Sequence, residues 1–253
     1  MPRFWVGPGL GLAMSWEGEN MLRHILIVVA TGLLLGLVWA ESTGNNWLAL
    51  GFKTPLSILF VITPLLQPKV LPKYFKFVFI GLLLGLVGDV CLGLPGLTAF
   101  RVGLLAFLAG HILYILAFAI LTRRVDWINP VNILIIAISG CIYLWLLPHL
   151  GKMIVPVTFY IVVISVMVAG AWAAFRNPGI LRSGAWFILV GAVFFYVSDI
   201  FVAHQRFVIE QFYNRLIGLP LYYTAQFLLA FSVGLVKKPA TENRDVYKKA
   251  NNL

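Results

Sequence analysis

Residues 81–94, GLLLGLVGDVCLGL, are apolar enough for a bilayer except at one position, Asp89. Residues 191–204, GAVFFYVSDIFVAH, repeat the pattern around Asp199. An ionisable side chain inside a transmembrane helix costs about 2.5–3.5 kcal/mol on insertion scales, so such residues mark a function or a paired contact.

The surrounding sequence is that of a polytopic membrane protein. Of 253 residues, 61% are hydrophobic and 11% charged, against about 45–50% and about 25% in soluble domains. A helix of about 20 apolar residues crosses a bilayer. Eight stretches qualify, at 22–40, 47–66, 75–94, 100–121, 128–148, 154–175, 183–203 and 214–236. The expected fold is therefore an all-α bundle of eight transmembrane helices spanning 21–236. A Gly/Pro-broken leader (1–20) without the marks of a cleaved signal peptide is expected to be poorly ordered, and a basic tail (237–253) to follow the bundle. Pro130 and Pro148 bracket the weakest span, the fifth.

The net charge of +10 is not a nucleic-acid signature, because no basic patch with interleaved aromatics stands outside the spans. It follows instead from the excess of Lys and Arg in cytoplasmic loops. The even connections and the two ends carry 14 Lys and Arg, the odd connections only Arg101, Lys152, Arg206 and Arg215. This places both termini in the cytoplasm and, in a bacterium, the chain in the inner or plasma membrane. Trp39, Trp47 and Trp127 suit the interfacial belt. Gly32/Gly36 and Gly81/Gly85 have helix-packing spacing. Cys91 and Cys141 lie in apolar stretches and read as small core residues.

With direction fixed, depth can be read. Lys53, Asp89 and Asp199 each lie roughly 6–9 Å inside the same, non-cytoplasmic leaflet at 1.5 Å per residue. Tyr222, Tyr223 and Gln226 enter from that face, Tyr160 has similar depth, and His111 lies deeper with Tyr114 on its helical face. Facing lipid would be costly, so these groups are expected to point into one cavity. Structural alternatives stand beside this: an Asp89–Lys53 pair tying two helices, Asp199 bonded across the bundle, a satisfied buried His111, and Ser198 bonded to its own helix. Without HxxxH or HExxH no metal site is expected, and without G-x-S-x-G no serine hydrolase.

The same residues carry a resemblance. Lys53-Thr54-Pro55, Gly88-Asp89, and Phe100, Gly103, Phe107, His111 and Tyr114 in the spacing FxxGxxxFxxxHxxY come first. Pro156-Val157, Tyr160, Ile164, Met167 and Ala171 follow on the sixth span. Gly191-Ala192, Phe195, Ser198-Asp199, Ala203 and Phe207 lie on and after the seventh, and Tyr222-Tyr223 and Ala225-Gln226 on the eighth. In this order the chain resembles the YhhN family of lysoplasmalogenase-like integral membrane proteins, along nearly all of its length after residue 45. The resemblance implies a hydrolase without cofactor that cleaves the vinyl-ether bond of lysoplasmalogens, releasing a fatty aldehyde and glycerophospho-choline or -ethanolamine. The partners implied are a lysophospholipid substrate and membrane lipids.

Vinyl ethers hydrolyse by protonation of the β-carbon, giving an oxocarbenium ion that adds water. The reaction needs a proton donor and a carboxylate, two carboxyls in unlike surroundings, as in glycosidases. The resemblance maps these onto Asp89 and Asp199; if Lys53 approaches Asp89, Asp89 is the ionised member. Lys53, His111, Tyr114, Tyr160, Ser198, Tyr223 and Gln226 are the expected substrate-binding or orienting residues. A proton-coupled transporter or carrier of a small lipid-like substrate uses the same kinds of buried group and is the competing reading.

Overall fold

The computed structural model describes residues 9–236, with side chains from residue 21. Among the described residues there are eight α-helices and no strand. They are α1 (Gly9–Ser42), α2 (Asn46–Ile62), α3 (Pro72–Gly93), α4 (Leu97–Leu121), α5 (Val131–Leu146), α6 (Ile154–Arg176), α7 (Arg182–Ala203) and α8 (Phe212–Ser232). A 3₁₀ turn, Thr63–Leu66, extends α2, and a π turn, His204–Val208, follows α7. The expected boundary between leader and bundle falls within α1, whose backbone is helical from Gly9. Residues 1–8 and the 237–253 tail lie outside the described residues.

The helix ends have local causes. Asn45 Oδ1 accepts the N–H groups of Trp47 and Leu48, each at 3.1 Å, and so caps α2. Pro72 opens α3, where its missing N–H costs nothing. Gly96, at φ 107°, makes the turn from α3 into α4 that a side chain would resist.

Seven of the helices, with their flanking turns, are long and apolar enough to cross a membrane. The exception is α8, which has the length, 21 residues, but not the apolarity. The reason is its position. Ten of its residues are buried, including Asn214, Tyr222, Tyr223, Gln226 and Ser232. A helix that faces protein on so much of its surface can carry polar groups, provided they find partners inside.

In sequence order α1, α2, α3, α4, α6, α7 and α8 each pack on the next, and α8 returns to α1 to close a ring. α8 also reaches α2 and α3 across it, while α5 stands outside and leans on α6. Apolar area does not drive helices together in lipid, so close backbone approach and hydrogen bonds must do so. On the tightest pair, α3 and α4, a Cβ at Gly110 would stand 3.2 Å from the Gly81 carbonyl oxygen. One at Gly103 would stand equally near that of Gly88. Of the α1 glycines, Gly36 receives the ring of Phe52, whereas Gly32 faces open space and packs nothing. Between helices, the Tyr74 and Ser232 hydroxyls meet at 2.7 Å, and Ser139 bridges Ser165 (2.7 Å) and Tyr196 (2.8 Å).

Candidate active site

Asp89 sits near the end of α3, 3% exposed, within reach of α2 and α8. Its Oδ2 accepts two short hydrogen bonds, from Ser57 Oγ at 2.6 Å and Tyr222 Oη at 2.7 Å. Lys53, one turn before Ser57 on α2, is buried and attracts Asp89. Among the described residues the Lys or Arg paired with a carboxylate is Arg215, with Glu41, so Lys53 acts on Asp89 across a gap. Behind Tyr222 runs a second row: Gln226 Nε2 donates to Tyr222 Oη at 3.0 Å, and Tyr114 Oη donates to Gln226 Oε1 at 2.8 Å. Tyr223 Oη lies 3.3 Å from Ser57 Oγ and 3.5 Å from the Lys53 carbonyl. Three helices thus fix one carboxyl.

Asp199, near the end of α7, has a plainer setting. Its Oδ2 accepts one hydrogen bond, from Tyr160 Oη of α6 at 2.7 Å. His111 Nε2 of α4 stands 3.9 Å from the same oxygen, too far for a direct hydrogen bond. His111 is fully buried, and neither ring nitrogen has a hydrogen-bond partner among the described residues. Its ring packs edge-on to Phe195 (4.5 Å between centroids) and Tyr160 (5.3 Å). Asp199 keeps 16% of its side chain exposed, and that face opens into a cavity.

The cavity has a volume of about 120 Å³, and both aspartates line it. Lys53, Tyr160, Tyr196 and Tyr222 supply the other polar groups at the inner end. Its walls are apolar: Phe107 of α4, Ile142 and Leu146 of α5, Val157, Ile161 and Ile164 of α6. Phe107, Phe195 and Tyr222 meet edge to face, with centroids 5.3–6.3 Å apart, and bridge the two carboxyl settings. At the mouth stand Gln205, Arg206, Asn214 and Arg215. Apolar walls around a few convergent polar groups are usual for small-molecule sites.

Of the residues singled out in the sequence, Asp89, Asp199, Lys53 and Tyr160 line this cavity. Tyr114, Tyr223 and Gln226 form the row behind Asp89, and His111 stands behind Asp199. Ser198 is not on the wall; its hydroxyl bonds the Phe195 carbonyl at 2.7 Å, the local alternative. Of the two direct partners of Asp89, Tyr222 was expected in the cavity but not among the binding or orienting residues, and Ser57 was not singled out at all. Ser57 was within reach of sequence reasoning, being four residues from Lys53 on one helical face. No set of three His, Cys, Asp or Glu side chains comes together among the described residues.

Comparison with known proteins gives a consistent picture. The model of the YhhN family matches residues 48–233. A protein of Mycobacterium bovis named Lysoplasmalogenase is 32% identical over 206 residues, 79% of this chain and 73% of that protein. Lysoplasmalogenase TMEM86A of Bos taurus is 30% identical over 171 residues, 66% of this chain and 69% of its own length. Lysoplasmalogenase TMEM86B of Rattus norvegicus is 28% identical over 237 residues, 91% and 94% of the two chains. No solved structure matches.

Proposed function

The chain belongs to the YhhN family, and from that premise we propose that it is a membrane lysoplasmalogenase of eight spans with both termini cytoplasmic. It would hydrolyse the vinyl ether of a lysophospholipid at Asp89 and Asp199. The observation that carries the reading is that these two carboxyls line one apolar-walled cavity in unlike surroundings, in a chain similar to three proteins named for this activity.

The division of labour follows from the hydrogen bonds. Asp89 receives two hydroxyl donors and faces Lys53, the setting of a carboxylate. Asp199 has one donor, no Lys or Arg paired with it, and apolar walls around it, the setting of a general acid. Asp199 gives its proton to the β-carbon of the vinyl ether, and the ether oxygen shares the resulting positive charge. Asp89 and the faces of Phe107 and Tyr222 stabilise that cation. Water adds to the α-carbon and gives a proton to Asp89. The hemiacetal then collapses: Asp89 returns that proton to the glycerol oxygen, and Asp199 takes the hydroxyl proton. Both carboxyls end as they began.

Turnover of lysoplasmalogen by the purified protein tests the proposal. Asp89→Asn and Asp199→Asn are each expected to lower kcat by about 10²–10⁴-fold, the range for general acid–base groups, with thermal unfolding close to wild type. An ester lysophospholipid should not be cleaved. Full activity in both folded variants would overturn the assignment.

A further inference from the structure

The mouth of the cavity has a chemistry of its own. Arg206 and Arg215 both line it, with Gln205 and Asn214 beside them. A second hollow of about 480 Å³, around the α3–α4 turn and the π turn, shares Arg206, Arg215 and Phe100 with the first, so the two adjoin. The π turn is braced. Gln205 Oε1 accepts from the Gln211 N–H at 3.0 Å and from Asn214 Nδ2 at 2.9 Å, and Asn214 Oδ1 lies 2.9 Å from His204 Nδ1. π turns of this kind recur at functional sites. Arg206 lies over the Phe100 ring, 4.4 Å from its centroid, and has no carboxylate partner among the ion pairs of the described residues. Arg215 stands 3.7 Å from Glu41.

We propose that Arg206 and Arg215 form a phosphate site for the head group of a lysophospholipid whose chain lies in the cavity. This deepens the hydrolase reading and rests on it. Arg206, in the π turn, follows Asp199 by seven residues and Arg215 precedes Tyr222 by seven on α8, where seven residues rise ~10 Å. A glycerol backbone and the reach of an arginine together span that interval. Guanidinium groups match phosphate oxygens in pairs, which a single ammonium does not. Lys53, buried beside Asp89 at the inner end, is left to the carboxylate. Glu41 and Glu210 on the same rim disfavour a second anion and offer acceptors to an ethanolamine ammonium.

Binding, not turnover, tests this, with the purified protein in neutral detergent. The probes are a saturated, uncleavable 1-O-alkyl lysophosphoethanolamine, the phosphate-free 1-O-alkylglycerol, and free glycerophosphoethanolamine. Wild type is expected to bind the lysophospholipid at least about tenfold more tightly than the alkylglycerol, about 1.4 kcal/mol. Arg206→Gln and Arg215→Gln should each remove most of that preference and leave the alkylglycerol Kd within about twofold, while the Lys variants keep part of it. In wild type, salt should weaken the lysophospholipid alone. Variants that keep the preference, or a wild type that shows neither preference nor salt dependence, would overturn the proposal. Free glycerophosphoethanolamine binding as tightly as the lipid would assign the arginines to a soluble phosphoester instead. Because the probe has no vinyl bond, failure here leaves the turnover result standing, and failure of turnover leaves this one readable.

Discussion

Tyr222 and Tyr223 are adjacent in sequence but differently employed. Tyr222 donates to Asp89 at 2.7 Å and is itself held by Gln226, whereas Tyr223 makes only long contacts to Ser57 and the Lys53 carbonyl. A hydrogen bond to a charged group contributes about 1.5–3 kcal/mol. Tyr222→Phe should therefore lower kcat by about 10–100-fold, and Tyr223→Phe by about threefold or less, in steady-state assays on lysoplasmalogen. Lys53→Met should act on kcat, because Lys53 serves the reacting carboxylate, whereas Arg206→Gln should act on KM. The sequence could mark both tyrosines as polar residues of one span but could not choose between them. Neighbours on a helix point about 100° apart, and the rotation of α8 is set by its packing on α2, α3 and α7. The two aspartates needed no such knowledge, since each was the one carboxylate in an apolar run.

At the scale of elements, α3 owes its shape to the stripe that faces α4 and α8. A Cβ at Gly85 would stand 2.5 Å from Gln226 Nε2, and one at Gly81 would stand 2.6 Å from the Tyr114 ring. Gly85→Ala is expected to displace Gln226, break the row behind Tyr222, and destabilise the protein by about 1–3 kcal/mol, the usual cost of overpacking. Gly32→Ala, which meets open space, should leave thermal stability unchanged or slightly raised in the same measurement. Spacing alone could not separate Gly32 from Gly81, because both pairs share one pattern. Helix positions were legible because hydrocarbon runs and Pro/Gly punctuation set them: the expected 183–203 is α7 within a residue, and 100–121 is α4 less its first turn. The expectation that 214–236 is as apolar as the other spans does not hold for α8, whose polar groups are accounted for by its burial.

The whole molecule is a ring of helices closed by α1 on α8, with its carboxyls toward one end and α5 outside. On the reading proposed above, the charge asymmetry would set its direction in the membrane, with both termini cytoplasmic. In a variant lacking Cys91 and Cys141, single cysteines at Arg101, Lys152 or Glu210 should react with an impermeant maleimide on intact cells. Those at Arg124 or Asn177 should react only after permeabilisation, and the reverse pattern would invert the topology. The ring itself was not legible in the sequence, since short connections predict neighbours but not which helix closes the bundle or which is left outside.

The cavity is apolar along its walls and charged at its mouth, and on the proposed reading the bond to be cut would lie between the two. Cleavage there separates a fragment that prefers oil from one that prefers water. The aldehyde would partition back into the bilayer, and the glycerophosphodiester would diffuse away past the arginines. Each turnover would then be vectorial: a detergent-like lipid enters as one body, and its halves leave into different phases.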